Sequence, residues 1–249
     1  LDRTIIYAHR GASGYSPENT ISSFHKGIEL GANGIELDVH LSKDGEIIVC
    51  HDGKVNRTTN GRGYIRELNL KQLKKLDAGS WFSKKYKGEK LPTLKEVFEV
   101  FNKEKMLINI EIKNIPFIYP DIEKKVIELV ESFNAVNRVT ISSFNHYSLL
   151  EIKKINPKIK TGALYMAGLI RPWKYAQDIG VDAINTYMYN IIAMPSLVKQ
   201  SIDNGIEVNA FTVNELIHIK KILETNLTGI ITDFPDRVVM VRGKMSNKP

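Results

Sequence analysis

The chain has 249 residues, a net charge of +7 and a single cysteine. That length suits one large α/β barrel as readily as two smaller domains, and a lone Cys50 excludes an intramolecular disulfide or a cysteine-rich metal site. The positive charge falls on lysine pairs such as Lys74-Lys75 and Lys153-Lys154, interspersed with acidic and apolar residues, which is the pattern of solvated helix faces rather than of a nucleic-acid surface.

Short β-branched runs recur at residues 4–8, 34–40, 106–113, 139–144, 160–165, 183–187, 207–213 and 229–233, giving eight candidate strands. Amphipathic segments separate them. Thr93-Leu94-Lys95-Glu96 has the form of a capping box, and Leu94, Val97, Phe98 and Phe101 follow at helical spacing. Ile122, Val126, Leu129, Val130 and Phe133 make a second stripe, and Asn214 stands where it would cap a helix carrying Leu216, Ile219, Ile222 and Leu223. The alternation predicts a single closed (β/α)8 TIM barrel over residues 1–249. An open doubly wound sheet has the same alternation, but no G-x-G-x-x-G follows the first strand. Residues 44–91 are too long for one helical crossover and read as an insertion at the barrel mouth; residues 242–249 read as a frayed tail. The least charged stretch, 183–198, contains Asn185, Asn190 and Pro195 and is shorter than the ~20 residues of a membrane span.

Asp44-Gly45 is a two-residue hairpin signal. With those residues as the turn, Lys43 faces Glu46 and Asp38 lies opposite His51, with Cβ atoms roughly 4.5–5.5 Å apart. Cys50 then faces away from His51, which argues against a Cys–His nucleophile pair. His40 lies on the Asp38 face but beyond it, as packing or support, whereas His25, His146 and His218 read as helix surface or helix entry.

Glu36, Asp38 and Glu111 are acidic residues inside apolar strands, where an unpaired carboxylate is costly. Glu36 and Asp38, at i and i+2, point the same way, as do Glu111 and Lys113. The compensating charge is either an internal salt bridge from Arg10 or Lys113, or a divalent cation. Oxygen-only donors suit Ca²⁺, Mg²⁺ or Mn²⁺ rather than zinc. Arg10 and Lys113 beside such an ion fit an anionic substrate such as a phosphate ester. Gly11 is a close-approach position or a plain turn glycine.

The segments His9-Arg10-Gly11-Ala12, Pro17-Glu18-Asn19-Thr20, Gly34-Ile35-Glu36-Leu37-Asp38-Val39, Asp44-Gly45, His51-Asp52, Arg57-Thr58-Thr59-Asn60-Gly61, Asn109-Ile110-Glu111-Ile112-Lys113 and Thr232-Asp233 together resemble the glycerophosphodiester phosphodiesterase family, in order along the chain. The resemblance implies a metal-dependent barrel enzyme that hydrolyses glycerophosphodiesters to an alcohol and glycerol 3-phosphate. By motif, it implies His9 and His51 as the acid–base pair, Glu36, Asp38 and Glu111 as ligands of one divalent cation, and Arg10 and Lys113 as phosphate contacts. Phe211 stands where the family often has tryptophan, so an aromatic substrate platform is kept without its ring N–H.

Trp81, Phe82, Met166, Trp173, Tyr187, Met188, Tyr189 and Phe211 are placed to shape the leaving-group side of the mouth. The alternatives are a lysophospholipase D-like activity on the same site and a noncatalytic barrel that binds without turnover. The expected partner is a small-molecule glycerophosphodiester, with no nucleic acid and no stable membrane insertion. No charged n-region and apolar h-region opens the sequence, so the expected compartment is the cytoplasm, secretion after leader removal being the other possibility.

Overall fold

The computed structural model describes residues 4–102 and 106–246. Eight parallel strands close into a barrel: β1 (Ile5–His9), β2 (Gly34–Leu41), β4 (Leu107–Ile112), β5 (Val139–Ser143), β6 (Lys160–Tyr165), β7 (Ala183–Tyr187), β8 (Glu207–Phe211) and β9 (Gly229–Thr232), with β3 (Ile47–Val49) added antiparallel to β2. Closure comes from β1, which pairs with both β2 and β9. Helices α1 (Ile21–Glu29), α2 (Leu70–Leu73), α3 (Leu94–Phe101), α4 (Ile122–Ser132), α5 (His146–Ile155), α6 (Pro172–Asp178), α7 (Met188–Ala193), α8 (Ser196–Asp203), α9 (Leu216–Leu223) and α10 (Pro235–Ser246) complete the fold. This is the TIM barrel expected from the alternation. None of the described helices is long and apolar enough to cross a membrane.

Strand alternation divides the chemistry. On β2, Ile35, Leu37 and Val39 join the main apolar core between strands and helices, together with Val97, Phe98 and Phe101 of α3 and Val126 and Val130 of α4. The intervening Glu36, Asp38 and His40 share the other face, inside the barrel and at its mouth. Tyr7 packs there against Gly34, where an added Cβ would stand 2.7 Å from the ring, so the small residue makes room for the aromatic layer. The capping box at Thr93 is formed, with Thr93 Oγ1 accepting from Glu96 N–H.

Three local expectations are corrected. The hairpin between β2 and β3 pairs Val39 with Val49 and Leu41 with Ile47, one residue out from the expected register. Ser42 N–H donates to Glu46 O and Gly45 N–H to Ser42 O, so the loop has three residues, 43–45, with Gly45 at φ +81°. Asp38 is therefore bonded to Cys50, whose N–H donates to Asp38 O at 3.0 Å, and His51 lies beyond the ladder. Asn214 does not cap α9, whose N-cap is Glu215; its side chain is engaged elsewhere, as described below. Finally, α10 continues through 242–246, so the expected tail boundary falls inside a helix; residues 247–249 lie outside the described residues.

After β3 the chain makes its long excursion before α3, through two short 3-10 turns and α2. It has its own apolar centre, in which Ile48 and Cys50 pack with Val55, Ile65, Leu73, Ala78 and Leu91. Ile48 and Cys50 face this centre by the corrected register, while Ile47 and Val49 face the barrel core.

Candidate active site

A parallel barrel directs its strand C-termini to one face, and side chains at those ends converge there. In the register between β2 and β4, Asp38 stands beside Glu111 and Glu36 beside Asn109, and Glu36 also neighbours His9 across β1. One carboxylate oxygen each from Glu36, Asp38 and Glu111 lies within 4.8 Å of the others. All three side chains are buried.

Two cations and the backbone hold this cluster. Lys113 Nζ lies 2.7 Å from Glu111 Oε1 and 3.2 Å from Asp38 Oδ1. Arg10 Nε is 3.4 Å from Asp38 Oδ2 and makes no hydrogen bond there; its backbone N–H donates to Glu36 Oε2 at 3.0 Å. That backbone contact depends on a sharp turn. Arg10 and Gly11 both sit at positive φ, 54° and 81°, and a Cβ on Gly11 would come within 2.3 Å of Ser23 Oγ. Gly11 is thus a turn glycine and a close-approach position together. Asp38 Oδ2 also accepts from Asn19 Nδ2 at 2.9 Å.

Burial alone would raise the Asp38 carboxyl, but Lys113 and Arg10 outweigh it and hold the group well below the ordinary carboxylate range. Burial, and then the negative charges of Asp38 and Glu111, push Glu36 far up. Burial also raises Glu111 to about 7, against the opposing pull of Lys113. Two side-chain cations therefore do not neutralise three crowded carboxylates, and a further positive charge would be accommodated. Asn109 Oδ1 and Ser142 Oγ line the same cavity and have no hydrogen-bond partner among the described residues. An all-oxygen donor set, buried and short of positive charge, fits a hard divalent cation.

Each of the two histidines carries its own carboxylate. His9 Nδ1 is 2.6 Å from Asp233 Oδ1, and Asp233 is fixed in turn by Ser13 Oγ at 2.8 Å and by Asn214 Nδ2 at 2.6 Å. Burial would raise the Asp233 carboxyl, but these hydrogen bonds hold it down at about 2. His51 Nδ1 is 2.7 Å from Asp52 Oδ1, and Asp52 is held at about 2, foremost by hydrogen bonds from Arg57. Burial lowers His51. His40 takes its expected supporting place: Nε2 lies 3.0 Å from His51 O and Nδ1 3.0 Å from Tyr119 Oη, fixing the backbone from which His51 projects.

With both Nδ1 atoms engaged, Nε2 of each ring is the atom left to exchange protons with a ligand. His9, Arg10, Glu36, His51, Glu111 and Lys113 line one cavity of about 330 Å³. Its opposite wall is apolar, from Phe144, Met166, Tyr187, Met188 and Phe211. Phe211 packs edge-on against Phe144. Of the other residues expected at the mouth, Trp81 and Phe82 pack on each other in the excursion, Trp173 lines a separate surface cavity, and Tyr189 packs against Tyr187 and His218.

Sequence reasoning missed the supporting residues Asp52, Asp233, Asn214, Glu18 and Arg57. All but Asn214 stood inside the motifs already quoted. Polar residues beside histidines and in loops were the available signal, but pairing across 224 positions, as between His9 and Asp233, leaves no trace in local spacing.

Comparison with known proteins gives a consistent result. Residues 9–237 match the glycerophosphoryl diester phosphodiesterase family. A glycerophosphodiester phosphodiesterase of Caldanaerobacter subterraneus is 45% identical over 95% of this chain and 97% of its own length. One from Bacillus altitudinis is 39% identical over 97% of this chain and 99% of its own length. Among solved structures, an Oleispira antarctica phosphodiesterase in complex with the product sn-glycerol-3-phosphate superposes with a TM-score of 0.83 at 29% identity, covering 97% of this chain and 98% of that one.

Proposed function

Because the chain belongs to the glycerophosphoryl diester phosphodiesterase family, we propose that it hydrolyses glycerophosphodiesters to an alcohol and glycerol 3-phosphate by metal-dependent, two-histidine acid–base catalysis. The observation that carries this reading is the convergence of His9 and His51 on one cavity with the Glu36, Asp38 and Glu111 cluster.

A phosphodiester resists attack because its negative charge repels nucleophiles. Arg10 and Lys113 contact the phosphoryl oxygens and take up that charge, most strongly in the transition state. Glu36, Asp38 and Glu111 would hold the divalent cation, which when bound would supply further charge neutralisation at the phosphoryl group. Asp233 and Asp52 keep a proton on each Nδ1, so that one Nε2 removes a proton from the attacking hydroxyl while the other protonates the leaving alcohol. The attacking hydroxyl belongs either to the neighbouring glycerol carbon, giving a cyclic phosphate that water then opens, or to water directly. The apolar wall with Phe211 packs against the carbon skeleton of the ester.

Chelation followed by separate addition of Mg²⁺, Ca²⁺ and Mn²⁺, assayed on glycerophosphodiesters, tests the reading. Turnover should vanish and return with the preferred ion; undiminished activity after complete metal removal overturns the metal role. Because burial and crowding raise the Glu36 and Glu111 carboxyls, protons compete with the metal for them, and apparent affinity should weaken as pH falls from 8 to 6. His9→Ala and His51→Ala should each abolish turnover while leaving stabilisation by metal in place.

The apolar wall, with Met166 and Phe144 both exposed, favours a second reading in which a lysophospholipid acyl chain lies across the mouth. A higher kcat/KM on lysophospholipids than on the deacylated diesters would establish it.

A further inference from the structure

Arg57 stands on the excursion after β3, half exposed, and its guanidinium joins the two sides of the site. Nε and Nη2 donate to Asp52 Oδ2 and Oδ1 at 2.8 and 3.1 Å, while Nη1 and Nη2 donate to Glu18 Oε2 and Oε1 at 2.7 and 2.8 Å. Beyond these carboxylates, Asp52 Oδ1 meets His51 Nδ1 at 2.7 Å, and Glu18 Oε1 accepts from Arg10 Nη1 at 3.0 Å. The result is one unbroken path, His51 to Asp52 to Arg57 to Glu18 to Arg10.

We propose that Arg57 is a positioning residue for the hydrolysis, setting His51 through Asp52 and Arg10 through Glu18, so that one side chain aligns the proton-transferring ring with the phosphate-binding guanidinium. The inference rests on the roles given above to His51 and Arg10. Without Arg57, two carboxylates would face one another across the gap it fills with no donor between them, and neither would be held in a fixed orientation against its functional partner. Only a planar guanidinium can grip both carboxylates in a two-pronged manner; an ammonium is a point charge. As a partly exposed ion pair, Arg57 would add at most a small increment to stability, so such close pairing is better explained by alignment than by folding. The other dyad shows the contrast. Asp233 is fixed by the neutral donors Ser13 and Asn214 and, among the described residues, has no comparable link to a phosphate-binding cation.

The test is steady-state kinetics of Arg57→Ala, Arg57→Lys and Glu18→Gln with metal and a glycerophosphodiester, alongside His51→Ala, thermal melting of every variant and NMR titration of His51. Arg57→Ala is expected to lower kcat by about 10–100-fold, the usual cost of removing a partner that orients a reacting group, with melting close to that of the unmodified protein. The His51 ionisation should move to higher pH, because a nearby positive charge has gone. Arg57→Lys, which keeps the charge but not the fork, should retain most of the kcat loss, and it carries the same test should Arg57→Ala fail to fold. Unchanged kcat and His51 titration in both Arg57 variants, beside an inactive His51→Ala, would overturn this inference alone. So would a loss of activity that only tracks the amount of folded protein. Full turnover by His51→Ala would overturn the acid–base reading beneath it.

Discussion

At the scale of single residues, the site is a set of charges each held by a neighbour. The carboxylate of Asp233 is the clearest instance, because His9, Ser13 and Asn214 all stabilise its ionised form. Its carboxyl is depressed from 3.8 to about 2 on folding, so the stability it contributes is fully present above its unfolded value near 4 and is lost as pH falls through about 2. The shift corresponds to about 2 kcal/mol. Asp233→Asn should therefore be less stable than the unmodified protein at neutral pH, with the gap between their unfolding free energies closing from pH 4 to pH 2 in urea titrations. The Asn214→Ala variant should lower kcat through the same chain of contacts, since Asn214 Nδ2 and Oδ1 both hold Asp233 and neither caps α9.

At the scale of elements, the hairpin between β2 and β3 decides where His51 goes. A two-residue Asp44-Gly45 turn would have put His51 in the ladder opposite Asp38. Gly45 instead takes the left-handed position of a three-residue loop, and the Asp44 carboxylate is drawn to Ser42 Oγ and to the backbone N–H of Leu70 at the start of α2. The consequence is a shift of one residue, which sends Ile48 and Cys50 toward the excursion's own core and frees His51 to turn over the carboxylates. Gly45→Ala should cost about 1–2 kcal/mol, the penalty for a Cβ at a left-handed φ, read as a lowered urea midpoint with an unchanged slope. Turn dipeptides announce a hairpin in the sequence; the count of loop residues depends on which neighbours bond the turn, and Leu70 lies 26 positions beyond Asp44.

At the scale of the whole molecule, the barrel supplies the metal-site candidates and Lys113, whereas the excursion supplies Asp52 and Arg57 and brings His51 over the mouth. The two bodies of apolar packing therefore meet at one cavity, and on the proposed reading both support its chemistry. Leu73, fully buried in the excursion's core, does not line the cavity, yet Leu73→Ala should destabilise by about 2–5 kcal/mol and lower kcat beyond what the loss of folded protein explains. Thermal melting and kinetics on the same preparation check both halves of that expectation.

The eight strands and the shared face of Glu36 and Asp38 are legible in the order of residues, because strand periodicity and apolar runs are local; the choice of a closed barrel over an open sheet also draws on the family resemblance. Arg10 and Lys113 stand out as cations beside carboxylates in apolar strands, whereas His9 and His51 enter as an acid–base pair only through the family resemblance. Only the tertiary structure decided the hairpin register, the partner of each histidine, the true place of Asn214 and the bridge through Arg57. Those are pairings between side chains distant in sequence, chosen by the geometry of closed packing and by the electrostatic need to match every buried charge, and neither is written in local spacing.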